Sequence, residues 1–261
     1  MSLHVSQGNH PIDQDTRILI SKRYKTITKA VNQEFWNSDS ETAHSRYVGS
    51  YGRGTAIDTS DLDVLIELPL SEYSHFSSLH GTGPSVLLQA VKNAIVATYP
   101  NTNVRADGQV VVVTFYNEMK FEILPAFLFG NGSFLYPDSH MGGNWLSTNP
   151  LAEQEAMKQK NETSKGLLFD TCKHIRYIRD NFFHSYHLSG ILIDSFVFTA
   201  IGDNYWCRGE ESGQPSALYE QMLLRFYNNC WSTICAPGSK QQVNKRDWDV
   251  LGKVLNKMVL S

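Results

Sequence analysis

Apolar residues recur at helical spacing from Asp13 onwards, with Ile20, Tyr24, Ile27, Val31 and Phe35 three or four positions apart. They predict a helix to about Trp36, with Asp13 or Asp15 as its cap and the polar run Asn37-Ser38-Asp39-Ser40 closing it. Arg46–Val48 and Leu62–Leu68 then read as strands, and Pro69 ends the second. Residues 69–83, rich in Ser, His and Gly, have no clear period and are expected to form a long surface connection. Pro84 opens a helix carried to about Thr98 by Val86, Leu87, Ala90, Val91, Ala94 and Ile95. Val104–Ala106 and Gln109–Tyr116 flank Asp107-Gly108 as a hairpin, and the β-branched run Val110–Val113 belongs in a buried central strand. Lys120–Leu124 is the last expected strand. Beyond an irregular stretch the pattern turns helical, over about 151–162, 166–182, 190–201, 216–232 and 244–259. This predicts an α/β lobe over 1–128, opening with a loosely held arm over 1–12, a bridge over 129–150 and a helical lobe over 151–261.

The chemistry concentrates between Val48 and Ile66. Asp61 and Asp63 open an apolar run, and residues i and i+2 of a strand leave the same face. Two carboxylates that close repel unless a cation neutralises them, and Mg²⁺ is usually bound by one or two carboxylates plus substrate phosphates. Upstream, Gly49-Ser50 can present backbone N–H groups and a hydroxyl to a phosphate. Glu122, a lone acid in Phe121-Glu122-Ile123-Leu124, reaches the same place if its strand lies beside that of Asp63. Three acids would suit two Mg²⁺ ions, with Mn²⁺ as a substitute, and nucleotidyl transfer from nucleoside triphosphates.

The bulk properties narrow the setting. In 261 residues the net charge is −3 and the pI about 6.3, so no global electrostatic footprint marks a binder of long nucleic acid. No run of eighteen apolar residues suggests a membrane helix, and Met1-Ser2-Leu3-His4 is no charged leader to an apolar core. Cys172, Cys207, Cys230 and Cys235 fit reduced thiols of a cytoplasmic protein, and Cys230 and Cys235 with His184 and His187 match no common zinc spacing.

Gly49-Ser50, Asp61-x-Asp63 and a third acid on a later strand resemble the polymerase-β-like nucleotidyltransferases. Phe121-Glu122-Ile123-Leu124-Pro125-Ala126 and Trp145-Leu146-Ser147-Thr148-Asn149-Pro150 resemble one branch, the bacterial relatives of cyclic GMP-AMP synthase called CD-NTases. The likeness covers roughly residues 15 to 200. It implies an α/β (α+β) fold in which a mixed-sheet catalytic lobe precedes a helical lobe, with the active site in the cleft between them. It makes Asp61, Asp63 and Glu122 the catalytic metal ligands, Glu122 standing where Asp is common, and Gly49 and Ser50 the phosphate contacts. Cys172-Lys173-His174-Ile175-Arg176-Tyr177 resembles the helix whose basic residue meets the triphosphate, which marks Arg176 and, one turn earlier, Lys173. Asp194-Ser195-Phe196 resembles the pair in which Ser195 would bind phosphate and Phe196 stack on a base.

The implied activity joins ATP, GTP, UTP or CTP into a cyclic or linear oligonucleotide messenger in anti-phage (CBASS) signalling, sensed by a downstream effector. No zinc insertion or basic DNA-contacting surface is visible, so activation by DNA is not expected. Two alternatives stay open: a transferase using RNA, a protein or a small molecule as acceptor, and a catalytically inactive nucleotide- or partner-binding module.

Overall fold

The computed structural model describes residues 3–130, 132–206, 219–239 and 241–260. Met1, Ser2, Asn131, Cys207 and residues 216–218 of the last-but-one predicted helix lie outside them. The chain divides into two compact units, one of residues 13–52 and 61–149, the other of 1–12, 53–60 and 150–261.

In the first unit, α1 (Gln14–Trp36) starts at Asp13, whose Oδ1 accepts from the Thr16 N–H at 2.8 Å, and ends at Asn37 in the left-handed region. A one-turn helix, α2 (Gly49–Gly52), separates β1 (Ser45–Tyr47) from β2 (Leu62–Glu67). Two helices, α3 (Leu70–Ser78) and α4 (Gly83–Thr98), lead to β3 (Asn103–Asp107), β4 (Val110–Thr114) and β5 (Lys120–Leu128). A hairpin of β6 (Phe134–Asp138) and β7 (Asn144–Thr148) completes the unit. The sheet is seven-stranded and mixed, in the order β1-β2-β5-β4-β3, with β6 beside the end of β5. Among the described residues, β2 and β5 run parallel and the other strand pairs are antiparallel. As the apolar run demands, β4 lies between β3 and β5, and Val111, Val112 and Val113 are buried. Helices α1 and α4 pack on this sheet and on each other.

Several expectations need correction. Residues 69–83 are no structureless connection, because α3 fills most of them. Its apolar positions Leu70, Tyr73 and Phe76 are too few to show a period. Tyr73 fixes it from outside, edge-on to Phe127, Phe129 and Trp145 at 5.2–5.6 Å between ring centres. The hairpin loop is Gly108-Gln109, one residue later than expected, since Asp107 pairs with Val110 and Gly108 takes φ +62°.

β5 does not stop at Leu124 but passes through Pro125 to Leu128. Pairing with β4 ends at Ile123 and pairing with β6 begins at Phe127. The missing N–H of Pro125 therefore falls in the gap between those partners, and the ladder to β2 continues past it. The expected irregular bridge contains β6 and β7. β6 tolerates Pro137 because it lies beyond the two residues that pair with β5.

The second unit holds α5 (Pro150–Thr163), α6 (Leu167–Phe182), α7 (Gly190–Ala200), α8 (Tyr219–Asn229) and α9 (Trp248–Val259). Its core includes Leu168, Ile175, Leu192, Phe196, Trp206, Leu223 and Leu255. The arm is held rather than loose: Val5 joins this core, and the Gly8 N–H donates to Asp170 Oδ2 at 3.0 Å. The division also differs from the linear one expected, since residues 53–60, between the two sequence motifs, belong to the helical unit.

Candidate active site

Parallel pairing sets Asp63 of β2 opposite Glu122 of β5, so both carboxylates leave the same face of the sheet. The strand ends are fixed beside them. The Val48 N–H donates to the Asp63 carbonyl at 2.9 Å, which brings the start of α2 against β2. Gly49 there takes φ +56°, and a Cβ on it would lie 1.7 Å from Asp63 Oδ2. Glycine is required twice over at this point, by backbone conformation and by the carboxylate that occupies the space. Ser50 follows it, half-buried, in the same turn.

Asp61 stands just before β2 and is exposed. Lys120 joins it to Glu122: the ammonium donates to Asp61 Oδ2 at 3.1 Å and to Glu122 Oε1 at 2.5 Å. Partial burial works against the lysine's charge, but the hydrogen bonds and attraction from Glu122 and Asp61 outweigh it and raise its pKa. Hard carboxylate oxygens suit Mg²⁺, and the ammonium already shows a cation lodged between two of the three acids. Among the described residues, no three His, Cys, Asp or Glu side chains stand close enough together to hold one metal ion. The acids are instead divided, two on Lys120 and one against Gly49.

Residues 8–161, more than half of the chain, match the family described as the Second Messenger Oligonucleotide or Dinucleotide Synthetase domain, SMODS. The chain belongs to the SMODS family. This is the CD-NTase group of nucleotidyltransferases that the motifs resemble. No curated protein matches the sequence. Among solved structures, this SMODS protein is similar to the Elizabethkingia meningoseptica CdnE cyclic dinucleotide synthase, with a TM-score of 0.66 at 12% identity over 95% of this chain and 97% of that one. The Rhodothermus marinus CdnE c-UMP-AMP synthase gives 0.64 at 12% identity, over 95% and 96%. The Vibrio cholerae di-nucleotide cyclase DncV gives 0.62 at 10% identity, over 94% and 84%. At such identities the likeness establishes the fold, a polymerase-β-like nucleotidyltransferase with a mixed sheet.

The SMODS chain does not use its helical-lobe candidates as expected. Arg176 needs an anion and has one inside the protein. Its Nη1 and Nη2 donate to the two carboxylate oxygens of Asp194 at 2.6 and 2.9 Å, and the side chain is 1% exposed. Arg53 Nε and Thr55 Oγ1 donate to the same carboxylate at 2.8 and 3.0 Å, and Arg53 Nη1 reaches Glu153 at 3.1 Å. Burial by itself would raise the pKa of Asp194, but Arg176 and Arg53 hold it below the usual carboxylate range. This bidentate, fully enclosed pair is architecture rather than a triphosphate ligand.

Ser195 and Phe196 are likewise corrected, since both have no exposed surface. Phe196 packs against Phe226 and Trp248, each 5.8 Å away between ring centres, so no ring face is left for a base. Lys173, half-buried on α6, is the remaining basic candidate of that helix. Sequence reasoning missed Lys120, although Lys120-x-Glu122 at strand spacing was the signal that could have shown it. It also missed Arg53, whose partner Asp194 is 141 residues away.

Proposed function

We propose that the protein is a Mg²⁺-dependent nucleotidyltransferase that joins nucleoside triphosphates into a cyclic or linear oligonucleotide messenger and releases pyrophosphate. The observation that carries this reading is the register of Asp63 with Glu122, closed on one side by a glycine that cannot be anything else. Asp61, Asp63 and Glu122 would hold the metal. Bound there, Mg²⁺ neutralises phosphate charge and lowers the pKa of an attacking ribose hydroxyl. The chain's own part is positional: Gly49 keeps the α2 turn close to Asp63, and Ser50 offers a hydroxyl to phosphate.

Family membership supports the messenger class, and the similar CdnE structure from Elizabethkingia holds GTP and a triphosphate analogue. On this reading ATP, GTP, UTP or CTP is consumed in the cytoplasm without DNA, and a downstream effector senses the product in anti-phage defence. No helix of the described residues is long and apolar enough to cross a membrane. The test is incubation of purified protein with labelled triphosphates and Mg²⁺, with no acceptor. Phosphatase-resistant oligonucleotides that vanish in a D61N/D63N variant are the expected result. Product appearing only when RNA, protein or a small molecule is added would instead favour an acceptor-modifying transferase.

A further inference from the structure

We propose that the Lys120 ammonium is a tethered counter-cation that holds the metal seat and must be expelled when a divalent ion binds. The inference rests on the reading of Asp61, Asp63 and Glu122 as metal ligands. Its own ground is geometric. Lys120 and Glu122 are two apart on β5, so both side chains leave the same face, the one from which Asp63 also projects. From there the ammonium touches one oxygen of Asp61 and one of Glu122, two of the three acids a metal would use. A divalent ion on those same oxygens would meet the ammonium at short range, where the two compete for the acceptor positions and like charges repel.

The arrangement has a clear physical use. Two neighbouring carboxylates without a cation repel each other and would spread the strand ends. One ammonium offsets half of that charge and keeps Asp61 near Glu122. A divalent ion carries twice the charge and displaces it, so Lys120 sets how much metal is needed to load the site. This makes it a positioning residue and a competitor of the metal, with no contact to the reacting atoms.

The experiment measures Mn²⁺ binding to the full chain without nucleotide, by electron paramagnetic resonance of the free ion. Wild type, K120M, K120R and D63N are compared after circular dichroism has verified each fold. K120M should bind Mn²⁺ about ten-fold more tightly, as expected from removing one unit charge beside a divalent ion. K120R keeps the charge and should stay close to wild type. A folded K120M that binds no more tightly than wild type, while D63N weakens binding, overturns the lysine proposal and leaves the metal ligands standing. Binding untouched by D63N, or absent from every variant, overturns the metal reading as well. Should K120M not fold, reductive ¹³C-methylation of the wild type gives the second readout, with the Lys120 signal assigned from K120R. That signal should move with Mg²⁺ in step with site occupancy, and a signal that stays still while Mg²⁺ binds overturns the proposal.

Discussion

Two clusters of carboxylates and cations serve opposite ends in this molecule. In the helical unit, Arg53 and Arg176 face Asp194 and Glu153, so two positive charges meet two negative ones, all buried. On the sheet side, Lys120 bridges Asp61 and Glu122, so at that contact two acids share one cation. The first cluster is closed, and every oxygen of Asp194 is already claimed. The second is partly exposed, with two acids on one ammonium, the balance that the proposed divalent ion would suit. Charge balance, more than the presence of acids and bases, separates the architectural network from the proposed metal site.

The largest expected effect is on activity. Asp63→Asn removes a charge from the sheet cluster while keeping the side chain's shape against Gly49. On the proposed reading Asp63 holds the metal, and losing such a ligand costs several kcal/mol of transition-state stabilisation, so turnover should fall by about a thousandfold or more. Product formation from labelled triphosphates measures it, with the melting temperature as a control for folding. Activity within tenfold of wild type would remove the sheet cluster from the chemistry.

Next in size is a loss of stability in the other cluster. Asp194→Ala leaves two buried guanidinium groups without their shared carboxylate, and breaking a buried pair from one side costs about 3–5 kcal/mol. Urea unfolding at neutral pH checks it. The pH dependence has a definite sign. Asp194 is held below its ordinary value of 3.8 in the folded protein, so the unfolded chain takes up its proton first as the solution is acidified. The stability it contributes is fully present above 3.8 and is lost as pH falls through the lower folded value. The gap between wild type and D194A should therefore narrow only in that acid range. A gap that already closes near neutral pH would mean that Asp194 is not the group clamped by the two arginines.

How much of this was legible in the sequence follows the same line. Motif residues that touch neighbours along one strand or turn were readable: Gly49, Asp63 and Glu122 lie where strand register and glycine placement put them, while Asp61 falls just before the strand. The long helix from Asp13 was readable because its period repeats over many turns. Features held by distant partners were not. Tyr73 docks α3 on Phe127, Phe129 and Trp145, and nothing near residue 73 announces them. Arg176 shows the limit most plainly. The resemblance marked a basic residue that meets an anion, but a motif does not tell an internal aspartate from an external phosphate.

The smallest expected effect is the sharpest test of the comparison. Asp61→Asn removes one contact of Lys120 but also relieves repulsion between the two acids that share its ammonium. Asp61 is exposed, and exposed ion pairs are worth little, so the two changes should nearly cancel and leave stability within about 1 kcal/mol of wild type. The same substitution should depress activity, because a functional site gives up stability to keep its charges unbalanced. Urea unfolding of D61N beside D194A reads this directly, with equal slopes ensuring that the transitions compare like with like. If D61N were as destabilising as D194A, the sheet acids would be holding the fold together, and charge imbalance would no longer tell the two clusters apart.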